Sequence, residues 1–262
     1  MSVRSSNRTQ SRILYLALFL VIGGVIGYII AAQKLRSRKP TVRTVEGYEY
    51  GLLSSLAEGK TDKDMSRHGF TEVYEYFFSP LKESVTRIFE IGVLDGGSLL
   101  VWRDYFPQAT VYGIDIKDTA HLNSERIKTF IADQENREQL QLFIDNSGGN
   151  FDIIVDDGGH SMKQQQVSFG FLFEHVNPGG YYIIEDVHTS LAMYAARHGV
   201  EADESNTTLR MINNFIRNGL IESPYILPGE EEYLNNNIEY CNLFRRDNDR
   251  LSTTCIFRKK AN

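Results

Sequence analysis

From residue 87 onward, short and almost continuously apolar runs alternate with longer segments of helical periodicity. The apolar runs are RIFEIG at 87–92, TVYGID at 110–115, KTFIA at 128–132, FDIIVD at 151–156 and GYYIIE at 180–185. Helical stretches lie near 98–106, 135–146, 163–176 and 207–220. Strands that are apolar on both faces and separated by helices pack as a parallel sheet covered on both sides. The pattern changes at 237–244 and 253–259, two β-rich runs joined by 245–251, which predict an antiparallel hairpin. Together these give an α/β fold with a seven-stranded, doubly wound, mostly parallel sheet and a C-terminal antiparallel hairpin.

The N-terminal pattern is of another kind. Residues 13–32 read ILYLALFLVIGGVIGYIIAA, twenty positions without a charge, the length of a helix that crosses a bilayer core. Basic clusters flank the run on both sides, and its length favours an uncleaved transmembrane anchor over the h-region of a cleaved signal peptide. Charge count leans weakly toward a cytosolic body and leaves the side of the membrane and the organelle open. The expected organisation is a basic tail at 1–12, an anchor at 13–32, a polar linker at 33–58 interrupted by Pro40 and Gly47, and a folded domain at 59–262.

Charge sharpens this division. Eight of the 28 Lys and Arg residues fall in 1–45, where there is no Asp or Glu, so the remainder holds 20 basic against 34 acidic residues, a net of −14. A body this acidic repels a phosphate backbone, which argues against nucleic acid as a partner. The two cysteines, Cys241 and Cys255, are too few for a disulfide scaffold. A hairpin turn centred on Asn248 would place them opposite each other, so their redox state would report the compartment of the body. The weak cytosolic lean favours free thiols. Asn206-Thr207-Thr208 is an acceptor sequon for glycosylation that would give a second readout of topology.

The first strand runs through Glu90, Gly92, Gly96, Gly97 and Ser98 straight into a helix. Glycines at such a turn let the backbone approach a ligand at the helix N-terminus. The spacing is not that of a dinucleotide fingerprint, and an acidic residue two positions before the first glycine is instead the pattern of S-adenosylmethionine sites. Asp115, closing the second strand, is placed to accept both ribose hydroxyls. Asp133, after the third, is a candidate for the adenine amino group, or equally a helix cap. A second constellation follows strands four and five: Asp157 in DDGGH, and Glu185 with Asp186. Neighbouring parallel strands lie about 5 Å apart, so these carboxylates converge. Crowded carboxylates without a basic partner call for a cation, and oxygen ligands select a hard one: Mg²⁺ first, with Ca²⁺ or Mn²⁺ as alternatives. His160, three residues after Asp157, is the candidate general base.

The seven-stranded layout is that of class I methyltransferases. The stretches KTDKDMSRHGFTEVYEYFF, FEIGVLDGGSLLVWRDYFPQATVYGIDI, FDIIVDDGGH and NPGGYYIIEDVHTS, in that order, resemble the metal-dependent sugar O-methyltransferases of macrolide biosynthesis, the mycinamicin and macrocin type. The resemblance spans about 59–259. It implies Asp157, Glu185 and Asp186 as Mg²⁺ ligands, His160 as catalytic base, and closure of the segment around Lys63, His68 and Tyr74 over the cofactor. After His188-Thr189-Ser190 the family often continues with aromatic and glycine residues, whereas this chain reads Leu191-Ala192-Met193-Tyr194. The expectation is an S-adenosylmethionine- and metal-dependent O-methyltransferase acting on a vicinal hydroxyl of a sugar or glycan. The alternatives are a catechol or phenol acceptor, and a non-catalytic, membrane-tethered protein that only binds S-adenosylmethionine.

Overall fold

The computed structural model describes residues 43–45, 48–201, 203–246 and 251–261. The expected anchor at 13–32 lies outside them, and among the described residues no helix is long and apolar enough to cross a membrane. The chain enters through a two-stranded antiparallel pair, β1 (Arg43–Val45) and β2 (Tyr48–Tyr50), followed by helix α1 (Leu52–Ala57) and helix α2 (Phe70–Phe78). The alternating unit then runs β3 (Arg87–Ile91), α3 (Gly97–Tyr105), β4 (Thr110–Asp115), β5 (Ile127–Ile131), α4 (Arg137–Ser147), β6 (Phe151–Asp156), α5 (Met162–Leu172) and β7 (Val176–Ile184). After it come α6 (Ala195–His198), α7 (Thr208–Asn218), α8 (Pro228–Asn237), β8 (Ile238–Arg245) and β9 (Thr253–Lys259).

The seven strands β3–β9 form one sheet in the order β5-β4-β3-β6-β7-β9-β8. Within it β9 alone runs antiparallel to its neighbours. Side chains alternate across the strands. Phe89 and Ile91 face a core shared with α4, α5, α7 and α8, while Ile88 and Val111 face a second core built from α1, α2 and α3. The strand order reverses beside β3: the chain builds outward through β4 and β5, then crosses back to β6. That crossing opens a crevice above the carboxyl ends of β3 and β6, where open α/β sheets take their ligands.

Within the expected linker, residues 52–57 behave otherwise. Leu53 and Ala57 of α1 are fully buried, and Leu52 and Leu56 pack on the same core. A six-residue helix is too short to show its period in sequence, and its N-terminus is satisfied from afar. Glu75 accepts hydrogen bonds from Gly51 N at 2.6 Å and Leu53 N at 3.1 Å. The folded unit therefore starts before Gly59.

The hairpin forms as expected with a different register. Leu243 lies opposite Cys255 and Cys241 opposite Phe257, after an irregularity between Ile238 and Tyr240. The cysteines are diagonal neighbours on one face, both free. Their contact lowers the Cys241 thiol from its ordinary range, while burial pushes the Cys255 thiol well up. The sequon offers no accessible acceptor in this fold. Asn206 is buried, its amide donating to Gly199 O and Tyr225 Oη and its Oδ1 accepting from Glu201 N.

If α1 belongs to the folded unit, Leu53→Ala should lower unfolding stability by about 2–5 kcal/mol, as for a buried leucine in a close-packed core. Denaturant unfolding checks this, and a loss under about 0.5 kcal/mol, typical of a surface site, would return the segment to linker status.

Candidate functional site

A cleft of about 620 Å³ opens at the strand-order reversal. Gly92, Asp115, Asp133 and Asp157, each at or just beyond the end of a different strand, line it together with Lys63, Ser98 and His160. Glu90, Gly96 and Gly97 do not reach it. Glu90 is fully buried behind the turn, accepting from Trp102 Nε1 at 2.8 Å. The glycine turn serves the protein's own packing first. A Cβ on Gly92 would stand 2.1 Å from the Asp157 carbonyl oxygen, and one on Gly97 would stand 1.9 Å from that of Lys60. Glycine at these two positions thus lets the β6 loop and the α1–α2 loop close against the turn.

Asp115 accepts from Val93 N and Leu94 N, both at 3.0 Å, and from Lys117 N at 2.9 Å, so its carboxylate is fixed at the cleft wall. Asp133 caps a local turn through Glu135 N, while Asn136 caps α4. Between them lies Gln134, which the sequence did not single out. Its Oε1 accepts from Gly159 N at 2.7 Å and its Nε2 donates to Asp156 at 3.0 Å, tying the cleft floor to the DDGGH loop.

The acidic constellation converges, but with a basic partner that sequence reasoning did not supply. Lys63 is 1% exposed. Its ammonium lies 3.1 Å from Glu90 and 3.3 Å from Glu185, and in contact with Asp157 Oδ2. Burial alone would lower the Lys63 pKa, yet the charges of Asp157, Glu185 and Glu90 hold it well above the ordinary lysine value. Burial holds the three carboxyl groups above their ordinary range, Lys63 opposing it in each case, and the Asp157 charge adds to the rise at Glu185. One ammonium does not neutralise these three carboxylates and the adjacent Asp186.

Glu185 is turned toward Lys63 and Tyr74, whose hydroxyl donates to it at 2.8 Å. Asp157, His160 and Asp186 form a separate group whose ligand atoms all lie within 4.8 Å of one another. His160 Nε2 is 3.8 Å from Asp157 Oδ1 and 3.7 Å from Asp186 Oδ2. Both His160 (φ 58°) and Asp186 (φ 54°) adopt the left-handed region, a local strain that concentrates where function demands a fixed geometry. Asp186 Oδ1 is buried without a hydrogen-bond partner among the described residues, with His68 at 3.5 Å and His188 at 3.7 Å. Unsatisfied buried oxygen beside two outward carboxylate oxygens fits a hard divalent ion.

Asp156 supports this loop from beneath. It is fully buried and accepts from Gln134, Ser168 and Tyr182, and burial pushes its pKa up to about 6 from 3.8. An acid raised in the folded state contributes most stability below its unfolded pKa, and that contribution is lost as pH rises through the folded value. Urea unfolding in chelator should show the wild type losing roughly 3 kcal/mol relative to Asp156→Asn between pH 3 and 7. A difference that does not change with pH would show that burial leaves this carboxyl unperturbed.

No family model matches the chain. It is 37% identical over 207 residues to mycinamicin VI 2''-O-methyltransferase of Micromonospora griseorubida, covering 72% of this chain and 48% of that protein. With demethylmacrocin O-methyltransferase of Streptomyces fradiae it shares 35% identity over 170 residues, covering 62% and 40%. Among solved structures, the MycE methyltransferase of the mycinamycin biosynthetic pathway, in complex with Mg, SAH and mycinamycin VI, superimposes with a TM-score of 0.66 at 29% identity. That match covers 92% of this chain and 62% of MycE. The chain spans about half the length of the curated relatives it matches. Its fold is that of the class I methyltransferases, and in sequence it resembles the macrolide-sugar O-methyltransferases.

Proposed function

We propose that this chain is an S-adenosylmethionine- and divalent-metal-dependent O-methyltransferase that methylates a vicinal hydroxyl of a sugar or glycan. The observation that carries the reading is the adjacency of the crevice at the strand-order reversal to the Asp157–His160–Asp186 group. When bound, S-adenosylmethionine supplies an electrophilic methyl group and a hard cation such as Mg²⁺ supplies charge beside the acceptor oxygens. The sugar acceptor is inferred from the relatives, one of which is named for 2'-O-methylation of an α-L-rhamnosyl tetracenomycin and another for 2''-O-methylation of mycinamicin VI.

Within this scheme the chain's own residues do the following. Asp115, at the end of β4, would hold the ribose hydroxyls and Asp133 the adenine amino group, with Gly92, Ser98 and Lys63 lining the same cleft. Asp157 and Asp186 offer oxygen to the cation, while Glu185, held by Lys63 and Tyr74, would have to turn from them to join as a third carboxylate. His160 Nε2, flanked by Asp157 and Asp186, takes the acceptor's proton. Thr189 Oγ1 donates to the His160 carbonyl at 3.0 Å, which fixes the loop against the residues that follow β7.

We further propose a membrane tether through 13–32, on the strength of that uncharged run and its basic flanks. Carbonate washing of membranes from expressing cells tests it: the chain should stay in the pellet, and release into the supernatant would refute the anchor.

Turnover is measured with labelled S-adenosylmethionine and a glycoside bearing adjacent hydroxyls. Chelator should abolish it and Mg²⁺ restore it, while His160→Ala should lower kcat by about 10²–10⁴ with cofactor binding retained. Full activity in saturating chelator would overturn the metal dependence. Methylation of catechols with none of sugars would redirect the substrate class.

A further inference from the structure

Lys63 stands in the loop between α1 and α2, yet its ammonium lies among carboxylates from three adjacent strand ends. Each carboxylate has another engagement. Glu90 is held by Trp102 Nε1, Glu185 by Tyr74 Oη, and Asp157 turns its second oxygen toward His160. The contacts of Lys63 thus divide the acidic groups. Glu90 does not line the cleft, Asp157 is shared, and Asp186 receives no contact from the ammonium among the described ion pairs.

We propose that Lys63 is a positioning residue that competes with the divalent ion for Asp157 and Glu185. In the metal-free protein its ammonium acts as their resident counter-ion and keeps Glu185 on Tyr74. On metal entry Glu185 passes from the ammonium to the ion, while Glu90 retains Lys63. This rests on the metal-dependent reading above and adds to it a built-in limit on cation affinity. The physics is that of shared ligands. An oxygen already engaged by an ammonium is a poorer donor to a second cation, and the net ligand charge sets how tightly a hard ion is held. Glu90 is essential to the arrangement, because it gives the displaced ammonium a buried partner that the metal does not need.

The test is Mn²⁺ binding to the full chain, followed by calorimetry and by the loss of the free-ion paramagnetic resonance signal. Two variants carry it, with effects of opposite sign. Lys63→Met should bind Mn²⁺ at least about tenfold more tightly than wild type, and its melting temperature should depend more steeply on Mn²⁺. Glu90→Gln leaves the ammonium only Asp157 and Glu185, and should bind Mn²⁺ at least about threefold more weakly. If Lys63 were merely structural, both variants would melt lower in chelator while their Mn²⁺ affinities stayed within threefold of wild type, and that result would overturn the proposal. Should Lys63→Met fold only when Mn²⁺ is present, the recovery of folding is the expected result in another form, and unchanged affinity in Glu90→Gln still refutes the competition. Failure of the wild type to bind Mn²⁺ would instead remove the metal-dependent reading, and this inference with it.

Discussion

A single buried ammonium fixes the geometry on which the site depends. Lys63 ties the loop between α1 and α2 to Glu90 on β3, to Asp157 after β6 and to Glu185 after β7, three strands that are adjacent in the sheet. Burying one charge without a partner costs several kcal/mol, and this loop cannot withdraw without leaving carboxylates in that condition. The same loop forms one wall of the cleft, so cofactor space and acidic cluster are shaped by one constraint.

Around that pair of elements, the two faces of the sheet carry different duties. The face covered by α1, α2 and α3 holds the charged network, with Trp102 and Tyr74 spending their polar ends on Glu90 and Glu185 while their rings pack on each other and on Phe78. Aromatic residues with a polar tip suit this position, since they fill a core and still satisfy a buried carboxylate. The opposite face is held by Leu140, Phe143, Phe169 and Phe257, and it reaches the site through Asp156 with its partners Gln134, Ser168 and Tyr182, and through Gln165, which donates to the Glu185 carbonyl.

Much of the fold was legible because the parallel strands are apolar on both faces, so β3, β4 and β6 stand out as uninterrupted runs. The strand-end carboxylates stood out in the same way, as charges that close apolar runs. What escaped was long-range or too short to show a period. The partnership of Lys63 with Asp157 spans 94 positions, and nothing local to KTDK marks its lysine as buried. Helix α1 has six residues and borrows its cap from Glu75. The hairpin register was open because Asp247, Asn248 and Asp249 are all good turn residues, and the irregularity after Ile238 has no signature in sequence. Glu90, Gly92 and Gly97 were read as cofactor-binding from their pattern, whereas the contacts the fold gives them come from Lys63, Asp157 and Lys60, all distant in sequence.

The position of β9 has a consequence for how the chain is made. On the ribosome β8 emerges first, yet β9 lies between β8 and β7, so β8 has no place in the sheet until the later strand has filled the gap. Ser252, just before β9, and Thr254 within it also supply the hydroxyls that meet His68 and Tyr74. A nascent chain stalled before Ser252 would therefore carry the cleft-lining strands and the acidic residues but an unsealed sheet edge beside Glu185. Assembly of the site is in this sense deferred, and synthesis itself sets the moment at which the acidic centre is enclosed.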